Sequence, residues 1–311
     1  MPSPIMHHPA DWHIGFLHLT GFGFAMMCAF GIAHWVSQMV LQARGDDPDI
    51  MNDVTFGALV GTLVGAKVYY AILNGWSHLF SQAGFVFWGG FIGSALLCAA
   101  IIRYRKQSFL RVADGAAAGI AAGYAIGRTG CWAVGDDYGR VWNGFLAVAF
   151  PNGLPPTLAS VMISEYHANL PVTTPPNAVV SVIPTQLLEV LLGLVMFAIL
   201  WRLRHHKHQS GWLFGMYCVL AGTERFLVEF LRAKSDMVGP LTSAQLIALG
   251  ITTVGIVLVT WRRRPVPELA RAEHDNFIAQ PSRGRRVSDI LRRLRRSNPR
   301  RGYPRSLAFD G

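Results

Sequence analysis

Long apolar runs recur seven times along the chain, near residues 14–36, 52–74, 84–102, 110–133, 185–201, 211–231 and 241–261. A bilayer core of about 30 Å is crossed by about 20 helical residues, and each run is close to that length. The pattern predicts an all-α polytopic membrane protein with seven transmembrane helices. The first run has no Lys or Arg before it and no evident small-residue cleavage site after it, so it reads as a retained helix rather than a signal peptide.

The loops between the runs give the orientation, because Lys- and Arg-rich loops stay in the cytoplasm. Arg44, then Arg103, Arg105 and Lys106, then Arg202, Arg204 and Lys207, then Arg262, Arg263 and Arg264 all follow odd-numbered runs. The opposite side holds only Arg140 within 134–184, and Arg232 with Lys234 after the sixth run. The N-terminus is therefore expected outside and the C-terminus inside. The 134–184 connection contains Pro151, Pro155, Pro156, Pro171, Pro175, Pro176 and Pro184, which predicts an irregular outer cap with at most short helices.

Composition sharpens this reading. Hydrophobic residues make up 51% of the 311 and charged residues only 15%, against roughly a quarter charged in soluble domains. The net charge of +10 would suit a nucleic-acid binder, but residues 262–311 hold 14 Lys and Arg against 5 Asp and Glu. The body, 1–261, is left almost neutral, and no nucleic-acid partner is expected. Two parts follow: a membrane domain, 1–261, and a basic cytoplasmic tail, 262–311. The tail is expected to be disordered or, over 287–297, a short amphipathic helix on anionic lipid. Cys28, Cys98, Cys131 and Cys218 lie in or at the edge of apolar runs, with no zinc spacing, and predict neither a disulfide nor a metal site.

Gly57, Gly61 and Gly65, and again Gly115, Gly119, Gly123 and Gly127, recur every fourth residue. Such ridges let helices approach closely in lipid and argue for packing rather than chemistry.

Charges within the apolar runs are the functional candidates, since a charge at the bilayer centre costs about 2.5–3.5 kcal/mol on insertion scales. They are Lys67, Asp114, Arg128, Glu189, Glu224, Arg225 and Glu229. Arg225, Glu229 and Arg232 share one helical face, either as a structural ion-pair ladder or as part of a site. GRTGCWAVGDDYGR (127–140) sets Arg128 between two glycines and just before a run of acids. Glycines admit a ligand to the backbone and guanidinium forks suit phosphate oxygens. Arg128 and Arg225 therefore suggest a site for an anionic head group, the alternative being that each merely pairs with an acid such as Asp136, Glu189 or Glu229.

At these residues the sequence resembles the prolipoprotein diacylglyceryl transferase family of the bacterial inner membrane. GRTGCWAVGDDYGR is similar to that family's signature, commonly GR-x-GNF-x-NGE-x-x-GR. VGAKVYY (64–70), GFVFWGGFIG (84–93), IPTQLLE (183–189) and ERFLVEFLRAKSD (224–236) resemble further family motifs in the same order. The resemblance implies transfer of the diacylglyceryl group of phosphatidylglycerol to the lipobox cysteine thiol of a prolipoprotein, giving a thioether and glycerol phosphate. It implies catalytic roles for Arg128, Arg225 and Glu229, and substrate-binding roles for Arg128, Asp136, Gly139, Gln186, Glu189 and Arg232. No metal or cofactor is implied.

Four positions depart from the family pattern. Its motif histidines correspond to Trp88 and Ile183, its signature asparagine to Cys131, and the tyrosine of its first span to Phe22. An indole cannot accept a proton, so the thiol must lose its proton to a carboxylate or to water. Otherwise the chain is a family member with a different lipid donor or acceptor. His78 and His167 fall in outer loops and Cys131 reads as a packing replacement. An anion transporter or channel lined by Arg128 and Arg225 is the reading from another class, and the chain has no inverted repeat or broken helices to support it.

Overall fold

The structure is a computed structural model that describes residues 5–14, 17–80, 86–233, 237–238 and 241–265. Eight α-helices run through the described residues: α1 (Gly21–Ala43), α2 (Ile50–Asn74), α3 (Phe87–Tyr104), α4 (Phe109–Val134), α5 (Ala159–Ser164), α6 (Thr185–Leu203), α7 (Trp212–Val228) and α8 (Ser243–Trp261). Five of them, α1, α2, α4, α6 and α8, are long and apolar enough to cross a membrane. The chain is thus an all-α polytopic membrane protein, with three pairs of very short strands besides the helices. Two of the seven expected crossings, the third and the sixth, are not met by length: α3 is a shorter apolar helix and α7 has 17 residues, with Arg225 in its last turn and Glu224 just before it. Side chains such as Leu63, Ile72, Leu191, Val254 and Val257 point outward and exposed, an apolar surface that water would not tolerate but lipid does.

The first apolar run folds differently from its expectation. Asp11–Ile14 pairs antiparallel with Leu17–Thr20, and α1 starts only at Gly21. Thr20 sets that boundary, its hydroxyl accepting the Gly23 N–H at 3.0 Å. The helix then continues to Ala43, with Val40 and Leu41 buried. At the other end of the chain a capping box starts α8: Gln245 N–H donates to the Thr242 hydroxyl, and Thr242 N–H to the Gln245 side chain.

Helix α1 packs along α4, α2 along α3, and α7 along α8. The glycine ridges make the first two contacts. A Cβ on Gly61 would lie 2.6 Å from the Gly93 carbonyl oxygen of α3, and one on Gly123 3.0 Å from Ala29 O of α1. The core between α1, α4, α6 and α7 is built from Val36, Val40, Ala117, Ala121, Met196, Leu200 and Leu213.

A buried acid ties one end of this bundle. Asp114 of α4 is fully buried, and its carboxylate accepts the N–H groups of Gly211 and Phe214, both at 2.8 Å, while pairing with Arg44 at 3.2 Å. A carboxylate borrowed from another helix thus satisfies the N-terminal amides of α7. The intramembrane candidate Asp114 is in this way structural.

The 135–184 connection is irregular, as expected, with only the six-residue α5, the two-residue strand Val148–Ala149 paired with Ile5–Met6, and isolated bridges. Its core is Tyr138, Val148, Phe150, Met162 and Val182, and Tyr138 donates its hydroxyl to Pro155 O at 3.0 Å. All four cysteines are free thiols. Most of the expected basic tail, including 287–297, lies outside the described residues.

Candidate functional site: an arginine–carboxylate cluster

The C-terminal ends of α4 and α7 and the N-terminal end of α6 meet at the end of the bundle opposite Asp114. Gly139 makes the meeting possible. Its N–H donates to Ile183 O at 2.9 Å, the next amide donates to Leu231 O at 2.9 Å, and Gly139 pairs with Arg232 as an antiparallel bridge. A Cβ there would lie 2.6 Å from Leu231 O and 2.8 Å from Ile183 Cβ, so no larger residue fits without moving the neighbouring chain at Leu231 or Ile183.

Three guanidiniums converge here on one carboxylate. Glu189, one turn into α6 and fully buried, lies 3.2 Å from Arg128 Nε, 3.6 Å from Arg232 Nη1 and 4.0 Å from Arg225 Nη1. Glu229 closes one side: its Oε2 is 3.0 Å from Arg225 Nη2 and 3.7 Å from Arg232 Nε. Asp137 closes the other, accepting from Arg128 Nη1 at 2.7 Å and from Arg232 Nη2. Three positive and three negative groups therefore balance, and the cluster's capacity for an anion lies in directed donors rather than net charge. Arg225 Nη1 and Arg232 Nη1 are buried and make no hydrogen bond in this arrangement.

Neighbouring contacts fix the cluster. Arg128 lies over the Tyr124 ring at 5.3 Å, and the Tyr124 hydroxyl donates to Glu224 at 3.0 Å. Gln186, fully buried, donates to the Asp136 carbonyl at 2.6 Å, and Thr185 donates its hydroxyl to the Asp137 carbonyl at 2.9 Å.

The two adjacent aspartates differ. For Asp137, burial alone would raise the carboxyl, but the Arg232 and Arg128 guanidiniums beside it bring it down to about 2. Asp136 is pushed up to about 6, first by burial and then by the charge of Asp137. Its Oδ1 is buried without a hydrogen-bond partner.

Every residue expected at a site falls in or beside this cluster: Arg128, Arg225, Arg232, Glu189 and Glu229 as ion partners, Gln186, Asp136 and Gly139 as its wall. Asp137, Tyr124 and Glu224 are additions. Tyr124 stands four residues before Arg128, a spacing that places both on one helical face. Asp137 adopts a left-handed backbone, φ 55°, which the Asp-Asp doublet by itself does not reveal. Cys131, Asp136 and Asp137 offer three ligand atoms within 4.8 Å of one another, a spacing that could hold a metal ion. The Arg128 guanidinium, bonded to Asp137 and 3.5 Å from Cys131 Sγ, already sets a positive charge beside two of these three atoms. Trp88 is half-exposed in the first turn of α3, its ring edge-on to Phe91. His78 sits in a short 3-10 helix, Trp76–Phe80, beside Tyr70.

The family model for prolipoprotein diacylglyceryl transferase matches residues 9–261, which contain every residue of this cluster. The chain belongs to that family. Curated relatives named phosphatidylglycerol–prolipoprotein diacylglyceryl transferase cover nearly their whole length in the match. The protein of Trichormus variabilis is 27% identical over 88% of this chain and 95% of its own. That of Thermosynechococcus vestitus is 27% identical over 83% and 95%, and that of Burkholderia ambifaria 28% over 83% and 96%. The chain is accordingly a membrane-embedded enzyme of the transferase class, and the anion path weighed from the arginines alone is not favoured.

Proposed function

We propose that the chain transfers the diacylglyceryl group of phosphatidylglycerol to the lipobox cysteine thiol of a prolipoprotein, in the inner membrane of a bacterium. The observation that carries this reading is the convergence of Arg128, Arg225 and Arg232 on Glu189, with Arg225 Nη1 and Arg232 Nη1 buried within ion-pair range of Glu189 and making no hydrogen bond. The acceptor sulfur attacks the glyceryl carbon that bears the phosphate. A C–S bond forms, the C–O bond breaks, and its electron pair leaves on the phosphate of glycerol phosphate. Donors fixed around that oxygen before the reaction stabilise its growing charge, each typically by a few kcal/mol.

Arg128 and Arg225 bind the phosphate, and Glu229 orients Arg225 through their 3.0 Å contact. Glu189 holds the three guanidiniums, Arg232 among them, in register, while Gln186 and Gly139 fix the 136–139 backbone that carries Asp137. The thiol proton goes to a carboxylate. Asp136 is the best placed, with a carboxyl near 6 and an oxygen that has no other partner. The displacement involves no redox change and draws on no metal or cofactor.

The topology that suits this chemistry has seven crossings, α3 and α7 being short ones. The N-terminus and the 134–184 cap then lie outside, and the tail, 262–311, in the cytoplasm as a separate segment from the membrane domain, 1–261. The Lys and Arg distribution supports that orientation. It sets the cluster at the outer interface, where a head group and a lipobox both lie. Incubating the full chain in detergent with phosphatidylglycerol and a lipobox peptide tests the reaction. Mass gain of one diacylglyceryl group on the peptide thiol, with matching release of glycerol phosphate, is expected; a folded protein that yields neither contradicts the proposal.

A further inference from the structure

A cavity of about 550 Å³ lies directly over Arg232, between the irregular 135–184 connection and the end of α7. Arg140, Met162, Tyr166, His167, Phe230 and Arg232 contribute to its lining. The size is in the range of small-ligand pockets. Arg232 belongs to both spaces: its guanidinium bonds Asp137 and faces Glu189 and Glu229 in the cluster, and it also lines the cavity.

The cavity differs from the cluster in its charge balance. No carboxylate lines it. Arg140, an exposed side chain, makes no ion pair among the described residues, and only its backbone is engaged, through Leu231 and Ile183. His167 is held in a left-handed conformation, φ 52°, on the same wall. An unneutralised guanidinium and an imidazole beside a buried arginine make a place for an anion, whereas the cluster beneath is neutral.

The charge of the reaction's two phosphates distinguishes them. Resting on the transferase reading above, the donor lipid is a phosphodiester with one negative charge, and the released fragment is a phosphomonoester carrying about 1.5–2 at neutral pH. The fragment has no acyl chains and must leave toward water. We propose that the cavity over Arg232 is a phosphomonoester site, through which glycerol phosphate passes from the arginine cluster to solvent, with Arg140 as the charge that favours monoester over diester.

Isothermal titration of glycerol phosphate into the full chain in detergent tests this, with short-chain phosphatidylglycerol titrated in parallel. Arg140→Gln is expected to weaken glycerol phosphate binding about tenfold, to leave the diester's affinity where it was, and to regain most of the loss as Arg140→Lys. Arg128→Ala is expected to weaken the diester and to leave monoester binding largely in place. Monoester binding that is unchanged in Arg140→Gln, or that vanishes only in Arg128→Ala, overturns the site. A cavity used by the lipid head group instead shows as an equal loss of both ligands in Arg140→Gln. Monoester binding through Arg140 in a chain that transfers no diacylglyceryl group overturns the product role and the transferase reading, while the anion site stands.

Discussion

Removing the charge of Glu189 is the perturbation that most directly strains the arrangement at the end of the bundle. Its carboxylate faces guanidinium nitrogens at 3.2, 3.6 and 4.0 Å. At such distances and an effective dielectric near 20, each attraction is on the order of 4–5 kcal/mol before desolvation is subtracted. Glu189→Gln keeps the volume and one acceptor oxygen but leaves three cations against Asp137 and Glu229 alone. Breaking a buried ion network from one side typically costs about 3–5 kcal/mol, because the remaining charges stay buried without compensation. A loss of about 3 kcal/mol corresponds to a fall in unfolding temperature of roughly 6–12 °C for a chain of this size class. The transfer rate should fall about 100-fold as the guanidiniums separate. The diagnostic is the double variant: Glu189→Gln with Arg232→Gln restores two charges of each sign and should recover at least half of the lost stability. Thermal unfolding in detergent reads both. A single variant as stable and as active as the wild type, or a double variant whose losses simply add, would refute the view that charge balance around Glu189 holds the site.

Three further outcomes follow from the same geometry. Gly61→Leu should separate α2 from α3, because its Cβ would lie 2.6 Å from the Gly93 carbonyl, and should lower unfolding temperature well below that of Gly31→Ala, where nothing lies within 4 Å of the new Cβ. Asp137, held near 2, contributes stability that is present above the ordinary carboxylate value of 3.8 and lost as pH falls toward 2. Asp136, raised to about 6, contributes in the opposite sense, favouring the folded state below 3.8 and losing that contribution as pH rises through 6. Unfolding temperatures of Asp136→Asn and Asp137→Asn across pH 3–8 should therefore diverge from wild type in different windows; a shared window contradicts the assignment. Trp88→His should leave transfer unchanged or raise it, since the indole cannot take the thiol's proton, and abolition of activity would show that the indole has its own part in the site.

Much of this architecture is legible in the residue order, because lipid leaves few alternatives: apolar runs of about 20 residues become helices, and intramembrane charges must find one another. The eventual ion partners Arg128, Glu189, Arg225, Glu229 and Arg232 were recognisable for that reason. The start of α1 was not. Residues 14–20 are as apolar as the helix after them, and periodicity cannot separate a short apolar strand from a helix of the same composition. The pairing of Asp11–Ile14 with Leu17–Thr20 decides it. Which of two adjacent aspartates meets the arginines was equally hidden, since it depends on the left-handed turn at Asp137. Asp114 shows the converse case: a charge in an apolar run, conspicuous in sequence, is consumed by the amides of α7 and by Arg44.

Single-turnover transfer from phosphatidylglycerol to a lipobox peptide, compared between the wild type and the variants Arg128→Ala and Arg225→Ala, tests the central claim most directly. With each variant first shown to be folded in detergent, phosphate binding by these two side chains predicts a loss of about 100-fold or more in the rate of thioether formation. Full-rate transfer by both variants would contradict it.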